Sequence, residues 1–197
     1  MRPWRLKRSM LRSTPKFQTV FEPAEVDLLR ELSATVADSL MDRAATAPKD
    51  ELAEITGMPS GHADAPEDPR LARLLPNFMK DDAETVDGEI SLLRQLNESD
   101  IVRSKLVNIR VIIDSVEAVG NGSVQLTEAE AHQWVAGLND LRLFLHATID
   151  TIEDPQQRSQ TDAMYQWLSF NQESLLEALA SSLGENFGAD AGEDTES

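Results

Sequence analysis

The side chains that carry most enzyme chemistry are absent or scattered in this chain. It contains no cysteine, which excludes disulfides, thiolate catalysis, zinc–thiolate sites and thiol-based redox sensing. Of the three histidines, His62 lies in a predicted loop, while His132 and His146 are 14 residues, hence roughly 21 Å, apart on one predicted helix. No pair has the i, i+4 spacing of zinc ligands. We therefore predict no catalytic residue, no metal site and no cofactor.

Charged side chains nevertheless occur where apolar ones are expected, on the helix predicted between residues 127 and 150. Arg142 falls inside the main apolar stripe of that helix, and Asp140 falls within its second apolar side. Residues two apart on a helix do not face each other, so these two cannot neutralise one another. An unpaired buried charge is costly, so each must find a partner elsewhere.

Lys105 is a candidate partner, because it lies in the middle of the apolar stripe of the preceding helix. We predict a buried or half-buried polar cluster in which Lys105 pairs with Asp140, while Asn139 and Arg142 bind backbone groups or another acid. Two interpretations stay open: the cluster is a functional site, or it is a structural network that fixes helix register. An ion-pair network shifts pKa values as a catalytic site does, so the sequence does not separate them.

The charge is distributed unevenly along the chain, whose formal net charge is −17. Residues 1–21 contain six basic and no acidic side chains, and the remainder is strongly acidic. An acidic body repels nucleic acid and attracts basic surfaces. The candidate contacts to nucleic acid or to a partner are Arg2, Arg5, Lys7 and Arg8 in the basic segment. The alternative is that these charges only form a solvated face.

The apolar patterns predict a mainly α protein: a helical bundle with a small N-terminal β-ribbon. Predicted strands cover 3–10 and 16–21, and predicted helices cover 23–43, 51–56, a turn from 69, 82–97, 99–119, 127–150 and 155–183. The chain divides into the ribbon 1–21, a helical body 22–183 and a disordered acidic tail 184–197. Apolar runs are only a few residues long, and no apolar stretch follows the basic start. We therefore expect no membrane span, no secretory signal and a cytoplasmic protein.

Four segments, in the same order, resemble a known family. They are DEL…TG (50–57), DP…RLLP (68–76), WVAGLNDLRL (134–143) and YQWL (165–168), and MRPW (1–4) and FEP (21–23) fit as well. Over about residues 1–183 the chain is similar to the actinobacterial AosR-like family. The resemblance implies a helical bacterial regulator of oxidative-stress transcription that acts with an extracytoplasmic-function sigma factor. The family's cysteine-based switch does not carry over, because this chain has no cysteine.

The function that we predict is therefore a non-enzymatic transcriptional regulator that binds a sigma factor or another RNA polymerase component. One alternative is direct DNA binding through the basic ribbon, since two-stranded ribbons enter DNA grooves. Another is an adaptor linked to Clp proteolysis, because genes of this family lie near a Clp adaptor gene. A homo-oligomer is a further alternative, since an apolar stripe on a helix packs in a dimer interface as readily as in a core.

Overall fold

A computed structural model describes residues 2–7, 15–48, 61–77, 88–118, 123–149 and 151–190, with side chains up to residue 183. Over these residues the chain forms a helical body with one small antiparallel sheet, which confirms the predicted fold class. The elements are β1 (Arg5–Lys7), β2 (Lys16–Val20), α1 (Pro23–Ala45), α2 (Pro69–Leu74), α3 (Glu89–Glu117), β3 (Ser123–Leu126), α4 (Glu128–Ile149) and α5 (Pro155–Asp190). None of the helices searched is long and apolar enough to cross a membrane.

The predicted ribbon exists and has a third strand that was not predicted. The order is β1-β2-β3, with Leu6 opposite Phe17 and Phe17 opposite Leu126. β3 follows α3 and returns to the N-terminal hairpin, so the ribbon is joined to the helical body by backbone hydrogen bonds. Four residues between two helices carry too little alternation to predict a strand. The first strand is also shorter than predicted, and residues 8–10 lie outside those described.

The predicted starts of two helices are stabilised by local capping bonds. α1 opens with Glu22 and Glu25 in a reciprocal capping arrangement and with a proline in its first turn. Before α4, the backbone N–H of Thr127 donates to Oε2 of Glu130 at 2.7 Å, and the Glu130 N–H donates to Oγ1 of Thr127 at 3.3 Å. These bonds need only residues close in sequence, which is why the pattern predicts them.

Two predicted helix boundaries are wrong. The helices expected at 82–97 and 99–119 are one continuous helix, α3, over the described part of that range. Ser99 and Asp100 favour helix starts, yet such residues are tolerated inside a helix whose other face is packed. α5 continues past Gly184 to Asp190, because a single glycine costs a helix only about 1 kcal/mol. The helix predicted at 51–56 and the last residues of the predicted tail, 191–197, lie outside the described residues.

An aromatic cluster fastens the sheet to the helices. Trp4 and Trp134 pack edge to face with ring centroids 5.2 Å apart, and Phe21 stacks on Trp134 at 6.0 Å. Trp167 on α5 donates from its indole N–H to a carboxylate oxygen of Glu25 on α1 at 2.7 Å. Segments from both ends of the chain thus meet in the aromatic cluster around Trp134 of α4.

Candidate functional site

The structure contains the ion pair predicted between α3 and α4. Nζ of Lys105 lies 2.6 Å from Oδ1 of Asp140, and the two side chains are 18% and 5% exposed. Burial raises the pKa of Asp140, while the hydrogen bond and the charge of Lys105 act in the opposite direction. The pair links two packed helices. Whether it is also a functional site stays a prediction.

The other two members of the predicted cluster lie elsewhere. Arg142 binds neither backbone nor an acid: its Nη1 donates to Oε1 of Gln172, and its Nη2 donates to the hydroxyl of Tyr165 at 3.1 Å. Its guanidinium also lies over the Tyr165 ring, 5.1 Å from the centroid. Arg142 thus faces α5, where its partners are the amide of Gln172 and the phenol of Tyr165. Asn139 is exposed at the surface of α4.

A second buried cluster was not predicted. Glu98 on α3 lies between two arginines, which we call the glutamate clamp (Arg43, Arg94 and Glu98). Nε of Arg43 is 2.8 Å from Oε1 of Glu98, and Nη1 of Arg94 is 2.9 Å from Oε2. Arg94 and Glu98 are almost fully buried, and the Arg43 side chain is largely so. One carboxylate therefore binds two guanidinium groups inside the protein.

The glutamate clamp holds the segment 61–77, which contains α2, against α1 and α3. Nη2 of Arg43 donates to the Asp64 carbonyl at 2.6 Å, and Nη1 of Arg94 donates to the Leu75 carbonyl at 3.1 Å. The Gly61 N–H donates to the Gln95 carbonyl of α3 at 2.9 Å. A Cβ at Gly61 would lie 3.1 Å from that same oxygen, so the close approach favours glycine.

The sequence carried only a faint signal for this cluster. Arg94 and Glu98 have the i, i+4 spacing of an ordinary exposed helix pair, and Arg43 is far from them in sequence. The signal that could have located them is that Arg94 and Glu98 face the same side as the apolar residues of α3. Each charged group of the clamp binds an opposite charge, and the contacts shown are ones that join α1, α3 and the segment 61–77. Among the residues searched, no group of three His, Asp or Glu could hold a metal ion.

The basic residues of the N-terminal segment form one surface, which we call the basic face (Arg2, Arg5, Lys7 and Lys16). Arg5 and Lys7 are exposed on β1, and Lys16 lies opposite Lys7 on β2. An open groove of about 520 Å³ borders Arg2, Arg5 and Lys7, and no acidic residue is among its described lining. Lys16 was not among the predicted contacts, although its cross-strand position could have placed it there. Arg8 lies outside the described residues.

One row of exposed acidic residues lies on α1. Four acids of that helix are exposed, namely Asp27, Glu31, Asp38 and Asp42, and we call them the acidic ridge. At 3.6 residues per turn their positions fall within an arc of about 60°. Asp27 is paired with Arg30 at 2.8 Å on the surface. The chain therefore presents a basic sheet and an acidic helix as separate surfaces.

Comparisons with known proteins find one family and several named relatives. A family model described as "Domain of unknown function (DUF2017)" matches residues 1–179. Proteins of Mycobacterium bovis and Mycobacterium tuberculosis named "Oxidative stress regulator AosR" are 38% identical over 194 residues, which is 90% of this chain and 88% of theirs. A Mycobacterium leprae protein named "Putative oxidative stress regulator AosR" is 36% identical over 195 residues, 91% of this chain and 88% of its own. No solved structure matches.

Proposed function

The chain belongs to the DUF2017 family, and from that premise we propose that it is a non-enzymatic regulator of the oxidative stress response that binds a component of the transcription machinery. The observation that carries this proposal is the similarity to relatives named oxidative stress regulators, which extends over nine-tenths of this chain. A similarity of that extent includes the sheet, the helical body and the clamped segment together. The role that we propose therefore concerns nearly the whole chain rather than one short motif.

The partner we propose is a sigma factor or another subunit of RNA polymerase. The acidic ridge on α1 is the surface best suited to it, because four exposed acids along one side of a helix attract a basic protein surface. Complementary charges raise association rates and exclude wrong partners more than they raise affinity. Sensing of the oxidant belongs to that partner in this proposal, because the chain has no cysteine of its own.

Direct DNA contact is the second candidate, and the basic face favours it. Its cations lie on one side of a sheet whose edge strand, β1, carries two of them, which is the geometry of a ribbon that enters a groove. Four cations neutralise few phosphates, and a net charge of −17 repels the duplex. We therefore rank DNA binding below protein binding. None of the described contacts favours the Clp adaptor in particular.

Two pairs of substitutions separate these candidates. Biolayer interferometry would measure binding of the purified chain to the host's oxidative-stress sigma factor and, separately, to promoter DNA. We expect Glu31→Lys/Asp38→Lys on the acidic ridge to weaken sigma-factor binding by roughly tenfold or more and to leave DNA binding no weaker. The converse is expected for Arg5→Ala/Lys7→Ala on the basic face if DNA is the target.

The matched control is Glu173→Lys/Glu177→Lys, which changes the net charge equally at exposed positions of α5. Sigma-factor binding by the control should be reduced far less than sigma-factor binding by the acidic-ridge variant. Equal losses would mean that only the total charge matters. No binding of the unsubstituted chain to the sigma factor or to RNA polymerase would contradict the proposed function itself.

A further inference from the structure

α3 presents an exposed apolar surface that no described part of the chain covers. Leu92, Leu96 and Val107 are 54%, 45% and 47% exposed. They are three of the six large apolar side chains that are most exposed over the described residues, and all three lie on this one helix. Single exposed apolar residues need no explanation, but a group along one line of a helix marks a contact surface.

Charged residues of both signs occupy the same line. At 3.6 residues per turn, an arc of about 80° contains the α3 ridge, which consists of Leu92, Leu96, Asp100, Arg103, Val107, Arg110 and Asp114. Asp100 pairs with Arg103 at 3.3 Å, and Arg110 pairs with Asp114 at 2.7 Å. The central pair Asp100 and Arg103 is neutral, and so is the pair Arg110 and Asp114, although the chain as a whole is at −17. Glu89, at the start of the helix, falls on the same arc, so only the middle and the end of the ridge are electrically balanced.

The four central residues of the α3 ridge, Leu96, Asp100, Arg103 and Val107, are self-complementary in their order. When two copies of α3 are laid antiparallel with the two-fold axis between positions 101 and 102, Asp100 of each copy faces Arg103 of the other. In the same register, Leu96 of each copy faces Val107 of the other. Opposite charges therefore meet at the centre, and apolar side chains meet on both sides of it. A two-fold interface requires such self-complementarity, since one surface must serve both copies.

We propose that the α3 ridge binds a second copy of this chain through this antiparallel contact. The charge complementarity selects a second copy as the occupant, because an unrelated helix would not need to match both the sign and the order of these residues. Asp100 and Arg103 are 65% and 72% exposed, so their bond within one copy contributes little and exchanges readily for the bond between copies.

The contact is expected to be small and the dimer concentration-dependent. Helices that pack through ridges of residues four apart commonly cross at about 50°, so only the central turns touch and the helix ends diverge. This separates Glu89 from Asp114 of the second copy, which the same register would otherwise bring together as like charges. An interface of one helix on each side is below the size of most stable dimers. The chain should therefore be monomeric when dilute and dimeric when concentrated.

Sedimentation velocity on the full chain over a wide range of concentrations tests the proposal. The unsubstituted chain should shift from monomer to dimer as concentration rises. Asp100→Arg and Arg103→Asp should each weaken dimerisation by roughly tenfold or more, because each places like charges opposite one another twice. Both positions are exposed, so the fold should persist, and circular dichroism verifies this.

Mixing the two variants gives the sharper result. In a mixed dimer one copy is acidic at both positions and the other is basic at both, so both central pairs are again attractive. The mixture should dimerise at least as well as the unsubstituted chain. Within each variant, positions 100 and 103 still carry like charges, so this recovery would come only from contacts between copies. The control is Arg30→Asp, which breaks an equally spaced exposed pair on α1 and should leave dimerisation unchanged.

Three outcomes would overturn the proposal. They are a chain that stays monomeric at all concentrations, single variants that dimerise like the unsubstituted chain, and a mixture that stays monomeric. A chain that stays monomeric yet loses sigma-factor binding on substitution of Leu96 would assign the ridge to the protein partner instead.

Discussion

Two buried carboxylates, Asp140 and Glu98, face different numbers of cations. Asp140 binds one ammonium, and burial prevails, so that its pKa is raised. Glu98 binds two guanidinium groups, which in turn hold backbone carbonyls. The first pair could be predicted, because Lys105 and Asp140 each stand alone inside an apolar stripe. The second could not, since nothing local shows that Arg43 reaches across to α3.

Glu98→Gln tests whether the glutamate clamp stabilises the fold. Removing the charge leaves two buried guanidinium groups without their counter-ion, so the free energy of unfolding should fall by about 3 kcal/mol. Amide hydrogen exchange over residues 61–77 should also accelerate, because the clamp holds that segment. The control is Asp114→Asn, which breaks the exposed pair with Arg110 and should cost far less, because solvent screens that pair. Similar losses in both variants would show that the clamp contributes no more than a surface pair.

The raised pKa of Asp140 predicts a pH dependence. Between the unfolded-state value of 3.8 and the raised value, the folded state binds more protons than the unfolded state. The contribution of Asp140 to stability is therefore greatest below this interval and falls as the pH rises through it. Denaturant unfolding should show a larger stability advantage over Asp140→Asn at about pH 4 than at about pH 7. The opposite slope would mean that attraction to Lys105 outweighs burial.

At the scale of elements, features that depend on neighbouring residues could be predicted from the sequence, and features that depend on distant residues could not. The starts of α1 and α4 could be predicted, since their capping bonds join residues three apart. The strand β3 and the continuity of α3 depend on packing partners far away in sequence, which no window of residues reveals. Register between helices depends on close contacts such as that at Gly137, where a Cβ would lie 2.7 Å from Cδ1 of Ile112.

Gly137→Ala is therefore expected to destabilise the α3–α4 contact. Alanine improves helix propensity, but its Cβ would displace Cδ1 of Ile112, which is fully buried and must turn within the core, so we expect a net loss of about 1–2 kcal/mol in the free energy of unfolding. Ile112→Val removes the clashing methyl group, so it should cost less in the Gly137→Ala variant than alone. Thermal or denaturant unfolding of the four proteins in this cycle measures the coupling. Additive effects would mean that the two positions do not touch.

At the scale of the whole molecule, the separation of charge is the feature with the clearest functional consequence. The basic face lies on the sheet and the acidic ridge on α1, so the two surfaces can bind partners of opposite charge. The order of charges along the sequence predicted a basic segment followed by an acidic remainder. It predicted neither the acidic ridge on α1 nor the placement of Lys16 beside Lys7, which required the strand register. In the proposed function, the protein partner meets the acidic ridge.

Association with that partner should be sensitive to salt. If the acidic ridge steers the encounter, raising the salt concentration from about 50 to about 500 mM should lower the association rate by roughly tenfold, with a smaller change in the dissociation rate. Surface plasmon resonance or stopped-flow fluorescence would measure both rates. An association rate that is independent of ionic strength would exclude electrostatic steering, although binding by another surface would remain.

The most direct test of the central claim is recovery of the tagged chain from its native lysate, with and without peroxide, followed by mass spectrometry. Binding to the transcription machinery predicts that a sigma factor or RNA polymerase subunits are enriched, and that the acidic-ridge variant Glu31→Lys/Asp38→Lys recovers less of them. Enrichment of Clp components instead, or of no transcription protein under either condition, would contradict the regulatory function proposed here.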